Sequence, residues 1–340
     1  MPPVRAKPVT MAHIAEEAGV ARTTVSFVLS GQHRERGISD RTAERIREIV
    51  DRFKFVPNAT ARSLSRRRTG MIGVFLPGFN SVWGETVVRG IRARLFESDG
   101  YVPLIASQHD DPDWEEREIK LLIERDVEAI VCCPTVKTEN YRRIMDRGIP
   151  LVFIGHRAKG ITDASFVAWD GHRIAAAAVR HLVSRGRRRI AFIGRGDENP
   201  TSSERFEGYR EALKENDLEF HRNWKINVPD YQDAGRMVAK LFSAKDRPDA
   251  LLSDLWIQAL SAMETLDENG VRIPEDVALL ALGDAPFCRH ARIGLSCVVE
   301  PAEDLGRQAA EIALHLLKNQ GAPAIQRLIQ EHRIEDRKTT

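Results

Sequence analysis

The stretch Val9-Thr-Met-Ala-His-Ile-Ala-Glu-Glu-Ala-Gly-Val-Ala-Arg-Thr-Thr-Val-Ser-Phe-Val-Leu-Ser30 holds two short helical patterns that meet at one glycine. Thr10 offers an N-cap oxygen, and Ile14, Ala15 and Ala18 follow at helical spacing. Gly19 then permits a tight turn. A second helix over residues 22–30 opens with Thr23 and Thr24 and buries Val25, Val28 and Leu29. The small Ala15 lets the two helices cross closely, and Val20 and Val25 pin the second against the first. Arg22, Thr23 and Thr24 are left exposed at an N-terminus, free to reach base edges. The pattern is a helix-turn-helix. A purely structural helical hairpin shares it, so the stretch alone leaves the role open.

Beyond Ser30, a polar loop bounded by Gly31 and Gly37 leads to Ser39 and Asp40, which cap a third helix. There Ile46, Ile49, Val50 and Phe53 recur at i, i+3, i+4 and i+7. Pro57 breaks the pattern. Residues 58–65 offer one or two helical turns, too short to be stable alone, so they should order only when something binds them. Arg66, Arg67 and Arg68 complete a linker that ends at Gly70. Residues 1–70 carry 14 Lys and Arg against seven Asp and Glu, a charge of +7, whereas the remaining 270 carry −5. A basic head on a mildly acidic body suggests a polyanionic partner for the head. A solvated basic face is the bland alternative.

After Gly70 the pattern becomes strand–helix alternation. Strands are expected at 71–76, 102–106, 129–133 and 151–154, with helices at 85–98, 114–125 and 141–147 between them. A second series follows, with strands at 190–193, 250–252 and 277–282 and helices at 173–185, 203–215, 234–242, 257–269 and 305–318. Alternation on this scale implies right-handed βαβ units, parallel sheets and two doubly wound lobes with a ligand cleft between them. The expected organisation is a head over residues 1–57, a hinge and linker over 58–70, and a two-lobed body over 71–340.

The chain has 340 residues, 42% hydrophobic and 29% charged, the balance of a folded protein. No apolar run approaches the roughly 18 residues of a membrane span. The opening residues have no apolar core of the signal-peptide kind, so a cytoplasmic protein without membrane contact is expected. Cys132, Cys133, Cys288 and Cys297 show no metal-ligand spacing, which predicts neither a metal site nor a disulfide frame. Gly194-Arg-Gly196 lacks the spacing and lysine of a phosphate loop, and no nucleophile–base set stands out. No enzyme activity and no cofactor are expected.

Val-Thr-x-x-x-Ile-Ala-x-x-Ala-Gly-Val-x-x-x-Thr-Val-Ser, followed by Phe53-x-Phe55-x-Pro57-Asn58-Ala59-x-Ala61-Arg62-Ser63-Leu64, closely resembles the lactose-repressor (LacI/GalR) family of transcription regulators. Ile72-Gly73-Val74, His181-Leu-Val-x-Arg185-Gly186-x-x-x-Ile190-Ala-Phe-Ile-Gly194, Arg205-x-x-Gly208-Tyr209 and Pro274-x-Asp276-Val277-Ala278 extend the resemblance over essentially the whole chain. The resemblance implies an all-α helix-turn-helix head on an α/β body of two parallel-sheet lobes, like a periplasmic binding protein. It implies a dimer that binds palindromic double-stranded operator DNA, most often as a repressor, under the control of a sugar-like small molecule.

Position by position, the resemblance places Thr10, Ala21, Arg22, Thr23, Thr24, Ser26 and Phe27 at the DNA. Asn58, Ala61, Arg62, Leu64 and Arg66 match the hinge segment that lies in the minor groove. Leu64 matches the leucine wedged between the central base pairs, and the arginines would meet phosphate or the groove floor. Three departures bear on the operator sequence. Phe27 stands where many relatives carry a polar side chain, and it either touches a thymine methyl or packs. Phe55 replaces the commoner Tyr, and the loop 31–37 is slightly long.

For the cleft, the matching positions are Trp83 on the first lobe and Arg205, Tyr231, Asp254 and Asp284 on the second. An aromatic face suits the C–H side of a sugar ring, and Arg and Asp suit its hydroxyls. Ala281-Leu282-Gly283-Asp284 stands in place of the family's Gly-Tyr-Asp, so the Asp284 carboxylate is either displaced by one residue or realigned. His156 and Asp170 read as structural hydrogen-bonders. A transport solute-binding protein would suit the body alone, and a sugar kinase with a DNA-binding head would need a phosphate loop. The helix-turn-helix and the missing loop set both aside in favour of a regulator.

Overall fold

A computed structural model describes residues 9–56, 68–77, 82–98, 100–107, 111–135 and 137–340. The chain divides into two compact units, residues 1–69 and 70–340. The hinge residues Asn58, Ala61, Arg62, Leu64 and Arg66 lie outside the described residues.

The first unit contains α1 (Met11–Ala18), α2 (Arg22–Leu29) and α3 (Asp40–Arg52). Thr10 caps α1 by accepting from the His13 backbone N–H at 3.3 Å, and Gly19 ends it at φ +60°. Val20 N–H bonds back to Ala15 O at 3.0 Å, closing the turn. Ser39 caps α3 by accepting from Thr42 N–H at 3.2 Å. Ile14, Ala15, Ala18, Val25, Val28, Ala43, Ile46 and Ile49 form the core, with Leu29, Val50, Phe53 and Phe55 packed at its edge. The loop 31–37 is tied down by Asp40, which meets His33 Nε2 and Arg34 Nε at 3.2 Å each. Arg52 Nη2 joins α3 to α1 by an ion pair to Glu17 at 2.7 Å.

The second unit is a pair of six-stranded sheets. The first holds β1 (Met71–Leu76), β2 (Val102–Ser107), β3 (Ala129–Cys132), β4 (Leu151–Ile154) and β5 (Ser165–Trp169), with α4 (Val82–Phe96), α5 (Pro112–Glu124) and α6 (Thr138–Met145) between strands. The chain then crosses into α7 (Gly171–Ser184), β6 (Ile190–Gly194), α8 (Pro200–Glu215), β7 (Lys225–Asn227), α9 (Ala234–Ser243), β8 (Ala250–Ser253), α10 (Trp256–Glu268), β9 (Ala278–Leu282), α11 (Pro286–His290) and β10 (Ser296–Val299). It returns to the first lobe as α12 (Ala302–Lys318) and β11 (Gln326–Ile329), and ends in the second as β12 (Arg333–Glu335).

The strand orders are β11-β5-β4-β3-β1-β2 and β12-β10-β9-β8-β6-β7. All pairings are parallel except β10 with β12. The nearly continuous burial of the central strands is what sheets covered by helices on both faces require.

Two features depart from the sequence expectation of two consecutive lobes. Five strands are additional to the expected ones: β7, β11 and β12 are edge strands of three or four residues carrying charged or amide side chains, and β5 and β10 stand next to the edge in each sheet. The chain also passes between lobes three times, near residues 170, 300 and 331, because α12 and β11 complete the first sheet. Helix α12 lies hard against α4. A Cβ on Gly90 would stand 1.9 Å from Glu303 O, and one on Gly306 would stand 2.1 Å from Val87 O.

Candidate effector cleft and DNA-reading helix

In the head, the residues that precede and open α2 face solvent: Ala21, Arg22, Thr23 and Ser26 are exposed and Thr24 is half-buried. Nothing in the core needs them, which leaves them available to a duplex. Thr10 is exposed and spends its hydroxyl oxygen on the cap of α1. Phe27 is half-buried, with the Arg36 guanidinium 4.9 Å above its ring.

In the body, the C-terminal ends of neighbouring parallel strands deliver polar side chains to one place, the crevice where open α/β sheets bind ligands. Arg195 follows β6, Asp254 follows β8, Gly283 and Asp284 follow β9, and Glu300 follows β10. Arg205 reaches the same place from the second turn of α8. Its position is fixed from below. Gly208 lets α8 approach α7 so closely that a Cβ would stand 2.1 Å from His172 O, and Tyr209 is buried with its hydroxyl on Ile190 O at 2.7 Å. The spacing Arg-x-x-Gly-Tyr is thus one helix meeting three demands on one face.

Arg205 Nη1 donates to Asp254 Oδ1 at 2.8 Å and to Asp254 O at 2.7 Å, and Nη2 pairs with Glu300 Oε1. Arg195 Nε holds the other Asp254 oxygen at 2.9 Å. Burial pushes the Asp254 carboxyl up, but Arg195 and Arg205 outweigh it and bring it down to about 2. Burial dominates at Glu300, whose carboxyl is raised despite Arg205. Arg205 is raised in turn by its two carboxylate partners against the cost of burial. Its Nε is buried without a partner among the described residues, and so is Trp169 Nε1 at the end of β5.

The other expected residues are placed as follows. Trp83 is half-buried on α4, edge-on to Trp169 with ring centroids 6.4 Å apart. Its indole also lies 4.0 Å from where a Cβ on Gly155 would stand. Tyr231 lies in a short helical turn after β7, 42% exposed, and among the described residues no hydrogen bond or ring contact ties it to Arg205. The Asp284 carboxylate is held by Arg337, Nη1 to Oδ1 at 3.0 Å and Nη2 to Oδ2 at 2.6 Å, an ion pair that anchors the chain's last segment. Cys288 and Cys297 bring their sulfurs within 4.8 Å of Asp284 and of each other, the one grouping of metal-ligand type among the described residues. The Arg337 guanidinium already occupies both Asp284 oxygens there. His156 meets Pro134 O at 2.9 Å, and Asp170 caps α7 by accepting from Arg173 N–H at 2.9 Å.

Sequence reasoning missed Arg195, Trp256 and Glu300. Trp256 opens α10 next to Asp254 and stacks on Phe287, with centroids 5.9 Å apart and planes 27° from parallel. The missed signal was positional, since each follows the end of a strand in the second sheet.

Residues 10–58 match the description of bacterial regulatory proteins of the lacI family, and residues 179–340 match a periplasmic binding protein-like domain. The chain belongs to the lacI family. Among relatives of this family, it is 26% identical to catabolite control protein A of Staphylococcus xylosus over 98% of this chain and 99% of that one. It is 27% identical to the HTH-type transcriptional repressor PurR of Vibrio vulnificus over 91% and 92%. Among solved structures, the lac repressor dimer bound to operator and the anti-inducer ONPF superposes with a TM-score of 0.83 at 19% identity, covering 98% and 99%. A CelR–cellobiose complex superposes at 0.74 with 24% identity, covering 97% and 99%. These two likenesses concern the fold. As a lacI-family protein the chain is a ligand-responsive, DNA-binding regulator of transcription. No helix among the described residues is long and apolar enough to cross a membrane.

Proposed function

We propose that the protein is a cytoplasmic repressor that binds a palindromic operator as a homodimer and responds to a sugar-like effector in the inter-lobe cleft. The observation that carries this reading is the pairing of an exposed Arg22-Thr23-Thr24 helix start with a body whose strand ends gather Arg195, Arg205, Asp254 and Glu300. Arg22, Thr23, Thr24 and Ser26 read the major groove, and Leu64, with Asn58, Ala61, Arg62 and Arg66 around it, enters the minor groove at the operator centre.

A homodimer is supported by apolar side chains left in solvent on three neighbouring elements of the first lobe. Phe96 ends α4 at 92% exposure, Val102 and Ile105 lie on the edge strand β2, and Trp114 and Leu121 lie on α5. Unpaired edge strands and apolar patches of this kind call for cover. A PurR relative named as a repressor and the cellobiose held by the CelR neighbour fit the same reading.

Selection of genomic fragments bound by the full chain, with sedimentation of the protein, tests it. An inverted repeat bound by a dimer is expected, and an asymmetric set of fragments or a monomer on DNA overturns it. Leu64→Ala should weaken binding and reduce the bend angle together.

A further inference from the structure

The loop that joins α2 to α3 is held by its own hydrogen bonds. Gln32 N–H returns to Phe27 O at 2.9 Å, Arg36 N–H to Gln32 O at 3.1 Å and Ile38 N–H to His33 O at 2.8 Å. Asp40 holds the side chains of His33 and Arg34 at 3.2 Å each. The position of residue 36 is thereby fixed before any partner arrives.

The two arginines of the loop fare differently. Arg34 is neutralised by Asp40, whereas Arg36 is exposed and meets no carboxylate within ion-pair distance among the described residues. The Arg36 guanidinium instead lies over the Phe27 ring, 4.9 Å from its centroid. Phe27 is half-buried and is not one of the side chains packed against the head's core. It follows Thr23 by one turn, so its ring stands on the stripe of α2 that presents Thr23 and Ser26 to solvent. The ring is thus a platform that holds a cation at the reading face of the helix.

Attraction to an aromatic face acts on the flat side of a guanidinium and leaves the N–H edge to other acceptors. A phosphate asks only for positive charge, which a loose arginine supplies as well. Guanine asks for orientation, because its O6 and N7 take a parallel pair of N–H donors. Fixing the guanidinium beforehand lowers the ordering cost of that pair. We propose that Arg36 reads one guanine in each half-site from the loop, and that Phe27 is the residue that positions it. The inference rests on α2 being the major-groove helix of the proposed dimer.

The test takes the full chain through selection on a randomised duplex library, then titrates the selected duplex and its single-base variants over a range of salt. In the wild type, one guanine per half-site should be preferred by about tenfold or more over the other bases at its position. Arg36→Ala should lose that preference and keep those at the remaining positions. Arg36→Lys, with the charge but without the fork, should lose it too while keeping a salt dependence close to that of the wild type. Phe27→Leu should weaken the same preference at the same position, and Phe27→Trp should retain it. A purely structural part for Phe27 would lower affinity evenly at every position, and that result overturns its positioning role. Uniformly weaker binding by Arg36→Ala, with unaltered base preferences and a salt slope shallower by about one per half-site, makes Arg36 a phosphate contact. That result overturns the inference and leaves the major-groove reading of α2 standing. A wild type without base preference at any position overturns both. Should Phe27→Leu fail to fold, the variants of the exposed Arg36 decide alone.

Discussion

Arg205 and Asp254 are joined twice: Nη1 lies 2.8 Å from the Asp254 carboxylate and 2.7 Å from the same residue's backbone carbonyl, with both side chains sealed from solvent. The pair therefore fixes the end of β8 to α8. In the proposed reading the same pair also meets the effector.

Arg205→Ala leaves Glu300 buried without its cation and Asp254 with Arg195 alone, a loss worth about 3–5 kcal/mol. For a body of this size that lowers the unfolding midpoint by about 6–15 °C. Scanning calorimetry of the full chain should record that fall, along with loss of effector binding. A midpoint within 2 °C of wild type would show that the cluster adds nothing to stability.

The acid limb of stability should carry the signature of Asp254. Its folded carboxyl, at about 2, lies below the ordinary value near 3.8. The group thus contributes stability that is full above about pH 4 and is lost as pH falls toward 2, about 2–3 kcal/mol in all. Glu300, raised by burial, has the opposite sign and favours the folded state on protonation. Denaturant titrations at pH 5, 4, 3 and 2 should show the Asp254→Asn variant with a shallower acid slope than wild type. An equal slope would remove Asp254 from the acid response.

The α4–α12 contact admits no methyl group. Gly306→Ala and Gly90→Ala each place a Cβ about 2 Å from a backbone carbonyl of the facing helix, so the helices must separate. Urea unfolding should show each variant destabilised by about 1–3 kcal/mol or more. Unchanged midpoints would mean that the helices slide freely past one another.

In the head, Arg22→Ala should cost about 1–3 kcal/mol of operator binding and relax the base preference at one position of each half-site. Thr10→Ala should instead act through the cap of α1, costing about 1 kcal/mol of head stability and leaving base preference unaltered. Binding-site selection with each variant separates the two. Identical base preferences for wild type and Arg22→Ala would exclude base reading by Arg22.

The head was legible from the sequence because its determinants are local. Thr10, Ala15, Gly19 and Val20 lie within eleven residues of one another, and the Ile46–Ile49–Phe53 spacing is a single helix face. The Arg205-x-x-Gly208-Tyr209 motif was legible for the same reason. What escaped was long-range. The partner of Asp284 is Arg337, 53 residues on, and the second partner of Arg205 is Glu300, 95 residues on. Glu300 and Trp256 are unremarkable letters until parallel pairing of β8, β9 and β10 sets their strand ends side by side. Strand β5 follows β4 with no helix between them, so it breaks the strand–helix alternation by which its equally short neighbours were read.

The three passages of the chain between lobes set an order for events on the ribosome. The head needs nothing beyond residue 69 and is complete early. The first sheet is not: β5 lacks its outer neighbour, and α4 and the strands beside it lack their covering helix, until residues 302–329 have left the exit tunnel. Until then the nascent body presents an open strand edge and a bare apolar face, the surfaces that holding chaperones bind. A polypeptide released before that point would keep a finished DNA-reading head on an unfinished body.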